Sequence, residues 1–467
     1  MKILLVTGKL AEKEVRKIAE KFGCDIYVAN VDVASFITPK HIENLDLSNY
    51  DLVIVPGLAK GRWKDFEEEK GVKVRLGTIH YSDLPYILER IEEIELSHEI
   101  PACRMLKLKA EEKMKLIDSI EECYFHIGNV KVGGRIKIVA EIVDATSLDE
   151  DSLIEKINYY LESGADIIDL GIPIDFDLKD VERIVKIARD NCDALSIDTF
   201  NRKAIEIGVK HGIDMIMSIS YENMNCLDLV RDRAVVVVER DVEKLLKLVE
   251  IVRGFTDKII ADPILDIKVF QSLMRYYEFR SKCDYPLLMG VGNVTELMDA
   301  DSIGINALLT YIAEEIGCQL IFTTEASDKT RGCIKELRVA TYMAKASKLK
   351  NSPPKDLGFD LLVLKEKRIK RERGEVKNVI EAKPSDFVRD PKGDFRIWVK
   401  DKIYCQHENL TIVGNNAKEI IDTVIRLNLI SRFDHASYLG RELKKAEIAL
   451  KLGKSYVQDE ELNFGIY

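Results

Sequence analysis

The sequence has no excess of positive charge, no long apolar run and no paired-cysteine motif, and each absence removes a class of function. Across 467 residues the formal charge is −10, with an isoelectric point near 5.5. A duplex-binding domain normally carries a net basic face, so nucleic acid is not an expected partner. The opening apolar run, Ile3–Thr7, gives way to charged residues before it could form a signal-peptide core or a membrane span. It reads as a buried strand, and the expected location is the cytoplasm. The nine cysteines are scattered, odd in number and never spaced C-x-x-C, which argues against a disulfide framework and a zinc ribbon. Glutamine occurs only at Gln271, Gln319, Gln406 and Gln458 while 32% of residues are charged. Such an amide-poor, Lys/Glu-rich surface is of the kind found in heat-adapted proteins.

What is present is a rhythm of apolar runs and amphipathic stretches. Residues 1–125 alternate KILLVTG, AEKEVRKIAEKFG, DIYVAN, YDLVIVPG and DLPYILERIEEI. Continuous apolar runs separated by helices predict a parallel α/β domain of Rossmann-like or flavodoxin-like type. Its turn Pro56–Arg62, PGLAKGR, has the glycines and lysine of a phosphate cradle without P-loop spacing, and reads rather as a structural strand-to-helix turn. Over 134–350 the rhythm becomes regular. IKIVAEIVDAT, ADIIDLGIPI, ALSIDTF, DMIMSIS, AVVVVER, KIIADPI, PLLMGVGN and QLIFTTEAS are eight strand cores, each followed by a helix. That count and span predict a (β/α)₈ TIM barrel. The paired prolines of NSPPKD mark a boundary. Residues 355–467 then predict a C-terminal α+β domain, with strands in FDLLVLKEKRIK, DFRIWVKDKIYCQHE and TIVG followed by two helices, the last opened by Ser431 and Asp434 at capping-box spacing. The basic run Lys367–Arg373 reads as a solvated face. His407 and His435 lack metal-ligand spacing and read as structural.

Chemistry in a barrel sits where strands end, and the residues closing these runs are Asp144, Asp169, Asp198, Ser218, Glu239, Asp262, Asn293 and Glu325. Each acid could cap the helix that follows it. Several on one barrel mouth instead point to a ligand or a metal, because buried carboxylates need compensation. A pterin offers one: its 2-amino-4-oxo-pyrimidine edge presents adjacent N–H donors that a carboxylate accepts in pairs.

The barrel segments carry a resemblance in the same order. ALSIDTFNRKAIEIGVKHGIDMI resembles the signature of dihydropteroate synthases and pterin-dependent methyltransferases, and implies that Asp198 contacts the pterin. SGADIIDLG resembles the preceding strand of that family and puts Asp169 inside the barrel mouth. KIIADPILD is similar to the family's D-P strand end, making Asp262 the principal carboxylate for the 2-amino edge, and YPLLMGVGN implies that Asn293 reaches the pterin. IVAEIVDAT resembles the first-strand motif ending asparagine-x-threonine, which aligns Asp144 and Thr146 with those residues and implies that Asp144 holds a magnesium beside a diphosphate leaving group. As a three-part chain it looks like the archaeal dihydropteroate synthase-related proteins.

The departures fall at the methyl end of the pterin. The family's serine-arginine-lysine run is replaced by Val291, Gly292 and Asn293, its arginine-x-histidine pair by TTEASDKTR, its glycine-glutamate-serine-threonine turn by GIPIDFD, and its asparagine-aspartate by Met217 and Ser218. Lys329 and Arg331 are then the expected catalytic cations. The resemblance implies a transferase of folate-like or tetrahydromethanopterin biosynthesis that joins a dihydropterin methyl diphosphate to an arylamine. GVGNVT with INALL is closer to the methyltransferases, which implies as alternatives a methyl-tetrahydropterin carrier or methyltransferase, or a non-catalytic pterin-binding scaffold. The ligands expected are a pterin, an arylamine and magnesium. The macromolecular partners expected are a second copy in a homodimer or a corrinoid protein, with no nucleic acid and no membrane.

Overall fold

The computed structural model describes residues 1–351, 353–354, 357, 359–365, 378–384 and 386–465. The chain divides into two compact units, Met1–Arg373 and Gly374–Tyr467. No described helix is long and apolar enough to cross a membrane.

The first unit opens with four parallel strands, β1 (Ile3–Thr7), β2 (Asp25–Val28), β3 (Leu52–Val55) and β4 (Lys73–Leu76), in the order β2-β1-β3-β4. Strands β1 and β3 are almost wholly buried, as their unbroken apolar runs require. Helices α1 (Glu12–Phe22), α2 (Trp63–Lys70) and α3 (Leu84–Leu88) flank them, and α4 (Ala102–Asp118) follows. Helix α3 covers only the start of the helix expected in DLPYILERIEEI. A short antiparallel hairpin, β5 (Phe125–Ile127) and β6 (Val130–Val132), leads into the barrel.

All eight barrel strands form where the sequence expects them: β7 (Lys137–Ile142), β8 (Ile167–Gly171), β9 (Leu195–Asp198), β10 (Met215–Ile219), β11 (Ala234–Val238), β12 (Ile259–Asp262), β13 (Leu288–Gly290) and β14 (Leu320–Thr324). They pair in parallel in the order β12-β11-β10-β9-β8-β7-β14-β13, and a bridge from Ala261 to Leu287 brings the two ends together. The surrounding helices are α5 (Glu150–Ser163), α6 (Leu178–Asn191), α7 (Arg202–Lys210), α8 (Val242–Arg253), α9 (Val269–Lys282), the one-turn α10 (Gly292–Thr295), α11 (Ser302–Ile316) and α12 (Cys333–Lys350). Strand residues alternate faces. Ile138, Ala140, Ile168, Leu170, Leu195 and Ile197 pack outward on the helices. Val139, Ile167, Met215, Met217, Val236, Ile260, Leu288 and Leu320 fill the interior, together with Ile127 and Val132 of the hairpin, which plugs the bottom. The hairpin turn needs Gly128, whose φ is +54° and where a Cβ would lie 2.2 Å from the Asp193 carbonyl oxygen.

The second unit is an antiparallel sheet, β15 (Phe395–Val399), β16 (Ile403–His407) and β17 (Leu410–Gly414), packed on α13 (Ala417–Arg426) and α14 (Phe433–Leu452). Two sequence readings are corrected. Residues 359–365 of FDLLVLKEKRIK form no strand, since an apolar run becomes a strand only with a partner to pair with; the rest of that segment and the basic run 367–373 lie outside the described residues. Ser431 does not cap the last helix: its hydroxyl binds Asp390, and Asp390 Oδ2 also accepts the backbone N–H groups of Ser431 and Arg432 at 2.9 and 3.0 Å. His435 Nδ1 lies 3.2 Å from the same carboxylate, and His407 Nε2 lies 2.7 Å from the Lys392 carbonyl oxygen, so both histidines have structural partners. All nine cysteines are free thiols.

Candidate functional site

The alternation of faces decides which strand-end acids point into the barrel. Val139 and Ile167 are interior, so Glu141 two residues on in β7, and Asp169 two residues on in β8, are interior as well. Leu195 and Ile197 face the helices, which turns Ser196 and Asp198 inward. Glu141 pairs with Asp169 across the strands, and Asp169 with Ser196; one layer higher Gly171 pairs with Asp198. The result is a cluster in which carboxylate oxygens of Glu141, Asp169 and Asp198 all lie within 4.8 Å of one another.

The mutual effect of these acids is large. Asp169 is fully buried; Ser196 donates its hydroxyl to Oδ1, and Oδ2 has no partner. Burial, then the charges of Asp198 and Glu141, hold its pKa well above the ordinary carboxylate value. Burial also raises Asp198. Glu141 is pushed up to about 7 by burial and by Asp198, Glu296 and Asp144. None of the three has an ion-pair partner among the described residues.

The acids are not helix caps. Helices α5, α6, α7 and α8 are capped by Asp149, Asp177, Asn201 and Asp241, whose side chains accept backbone N–H groups of their first turns. The capping explanation holds elsewhere: Glu325 is buried after β14, takes the Ile334 N–H at 3.0 Å at the start of α12 and the Tyr159 hydroxyl at 2.8 Å. Glu239 is occupied by the Asp241 N–H at 3.0 Å.

Asp262 ends β12 on the interior face defined by Ile260. It accepts the Tyr276 hydroxyl at 2.7 Å and the Ile264 N–H at 2.8 Å, and burial, opposed by those two bonds and by Arg275, brings its pKa up to about 6. Asn293 is exposed at the start of α10 and donates to the Leu265 carbonyl oxygen at 2.9 Å, tying the loop after β13 to the loop after β12.

A cavity of about 490 Å³ opens beside the three-acid cluster. Glu141, Asp144 and Asp198 line it together with Val143, Ile172, Pro173, Ile174, Phe176, Thr199, Phe200 and Asn201, and no lysine, arginine or histidine is among the lining residues. Asp144, the residue expected to hold a metal, sits exposed just beyond β7 with φ of +51° and reaches this lining, but it is not part of the three-acid cluster. Glu141, which the sequence reading passed over, takes the strand position instead. Lys329 is exposed on the turn after β14, 3.0 Å from Asp299, and Arg331 is exposed nearby; neither lines the cavity.

Comparison with known proteins finds family matches in three parts of the chain. The model for "pterin binding enzyme" matches residues 142–263, spanning β8 to β12. Residues 1–78 match a family of unknown function, and 389–459 match the family PterinBD-DUF4346. The uncharacterised protein MJ0107 of Methanocaldococcus jannaschii is 39% identical over 519 aligned positions, covering 99% of each chain. Among solved structures, dihydropteroate synthase of Yersinia pestis with a sulfonamide drug aligns at a TM-score of 0.41 and 16% identity, over 48% of this chain and 99% of that one. That of Vibrio fischeri aligns at 0.39 and 18%, over 47% and 95%. With a barrel of the expected strand order, a match to the pterin-binding model inside it, and a relative alike from end to end, the chain belongs to the archaeal dihydropteroate synthase-related proteins of the pterin-binding enzyme family.

Proposed function

We propose that the barrel mouth binds a pterin among Asp169, Asp198, Asp262 and Asn293, and that the protein joins a dihydropterin methyl diphosphate to an arylamine. The observation that carries this reading is the set of inward carboxylates at the ends of β8, β9 and β12, which form no ion pair among the described residues and do not cap helices. A ligand rich in N–H donors supplies what they lack. Asp262, with its pKa held near 6, is ionised at neutral pH and suited to accept the paired donors of the 2-amino edge. In the reaction the amine nitrogen attacks the pterin methylene carbon, the carbon–oxygen bond to diphosphate breaks, diphosphate departs with the electron pair and the amine loses a proton. No protein nucleophile is required; positioning and charge stabilisation of the leaving group carry the catalysis. Lys329 and Arg331 are the cations assigned to that stabilisation.

A second reading is methyl transfer from a methyl-tetrahydropterin to a corrinoid or other partner. It is favoured by the absence of any cation from the cavity lining, since transfer of a methyl group needs no diphosphate grip. The test is incubation with synthetic dihydropterin methyl diphosphate and a panel of arylamines, with diphosphate release and pterin fluorescence followed together. Release that depends on the amine is the expected result. Saturable pterin binding with no release would overturn the synthase reading and leave methyl transfer or a non-catalytic pterin scaffold.

A further inference from the structure

Three carboxylates from adjacent strands converge inside the barrel with their oxygens within 4.8 Å of one another, and the Asp169 Oδ2 atom is buried among them without a hydrogen-bond partner. A buried carboxylate oxygen left unpaired is costly, and three together more so. Local structure does not account for them: the helices after β7, β8 and β9 have their own caps in Asp149, Asp177 and Asn201. The backbone is also fitted to the arrangement. A Cβ on residue 171 would lie 2.4 Å from Glu141 Oε1, so any larger residue there would push the Glu141 carboxylate aside.

We propose that Glu141, Asp169 and Asp198 form a binding site for one hard divalent cation of the magnesium or manganese class. The donor set is all carboxylate oxygen, without imidazole or thiolate, which is the chemistry those ions select over zinc or copper. Oxygens bound to one such ion at ~2.1 Å are at most about 4.2 Å apart, so the present spread closes by side-chain rotation. The cavity beside the cluster leaves room for water or a ligand oxygen to complete the coordination. This cation is the missing positive charge of the site, and it stands among strand residues rather than at Asp144. With it in place, Asp169 and Asp198 serve the pterin through the ion, while Asp262 and Asn293 keep direct contacts.

The proposal takes only its location from the pterin reading, so the test measures the ion without a pterin. Full-length protein stripped with a chelator is titrated at pH 8 with Mn²⁺, free ion being followed by electron paramagnetic resonance, and with Mg²⁺ by calorimetry. One Mn²⁺ per chain is expected. Glu141→Gln and Asp169→Asn should each weaken it at least tenfold while melting no lower than the wild type. Gly171→Ala, which keeps all three acids but displaces Glu141, should weaken it as well, and Asp144→Asn should leave it unchanged. No saturable Mn²⁺ binding, folded Glu141→Gln binding like the wild type, or loss on Asp144→Asn alone would each overturn the site. Pterin fluorescence in the same samples separates the two ideas: pterin binding without Mn²⁺ binding removes the cation and spares the pterin reading, whereas the converse does the opposite.

Discussion

The two ends of the barrel treat their acids in opposite ways. At the bottom, Asp166 accepts Arg135 at 2.6 Å, Arg338 at 3.2 Å and the Ile138 N–H at 2.8 Å. Asp118 at the end of α4 takes Arg135 at 3.2 Å and the Tyr342 hydroxyl at 2.5 Å, and Asp214 takes Arg189 at 2.6 Å. Burial alone would raise the Asp166 carboxyl, yet Arg135 and Arg338 hold it below its usual value. At the mouth, Glu141, Asp169, Asp198 and Asp262 are all raised, and the first three have no ion-pair partner among the described residues. The same residue type therefore ties the fold together at one end and is left open to a ligand at the other. Barrels in general keep stability at the N-terminal ends of their strands and chemistry at the C-terminal ends.

The contrast can be broken first at the bottom. Arg135→Met leaves Asp166 and Asp118 without their central partner in a site where the arginine is 2% exposed. Removing one member of a buried pair costs about 3–5 kcal/mol. Urea unfolding should register a loss of that order, with pterin binding to the surviving folded protein unaltered. A loss below about 1 kcal/mol would mean that the bottom network contributes little and that the comparison is one of geometry alone.

Asp262→Asn probes the mouth and should act the other way round. Losing a charged hydrogen-bond acceptor is expected to lower pterin affinity by about 10–100-fold, whereas stability should hold or rise. Because the folded pKa of about 6 lies above the ordinary value of 3.8, the folded state favours the neutral acid. That stabilisation is complete below about pH 4 and is lost as pH rises through 6. Wild type should therefore lose stability relative to Asp262→Asn between pH 4 and 6, by about 3 kcal/mol, and run parallel to it above. Urea midpoints at pH 4, 5, 6 and 7 measure this, and a constant difference would show that Asp262 titrates normally.

Much of this division was legible from sequence, for identifiable reasons. The barrel strands are buried on both faces, so their apolar runs stand out, and Asp169, Asp198 and Asp262 interrupt or close those runs where polar residues have no packing role. Asp144 reads as the strand end because it is the last acid of IVAEIVDAT, a reading that does not consider Glu141. Alternation from Val139 marks Glu141 as the inward acid of β7, which stops at Ile142. Other features depend on distant partners and leave no local trace. Tyr276 reaches Asp262 from α9, Glu325 becomes the cap of α12 only when the barrel closes, and Asp390 holds the start of α14 from 41 residues upstream.

Lys329 and Arg331 test whether the mouth recruits cations from outside the cavity. Exposed ion pairs such as Lys329 with Asp299 contribute about 0–1 kcal/mol, so Lys329→Ala combined with Arg331→Ala should change stability by no more than about 0.5 kcal/mol, the smallest effect in the series. Pterin affinity should also be unchanged, because both residues lie outside the cavity lining. If these side chains meet the diphosphate as it leaves, release of diphosphate should nevertheless fall by about 100-fold or more, the scale on which a single transition-state donor acts. Turnover equal to wild type would assign leaving-group stabilisation to a bound cation alone. The mouth would then contrast with the bottom completely, drawing none of its positive charge from the chain.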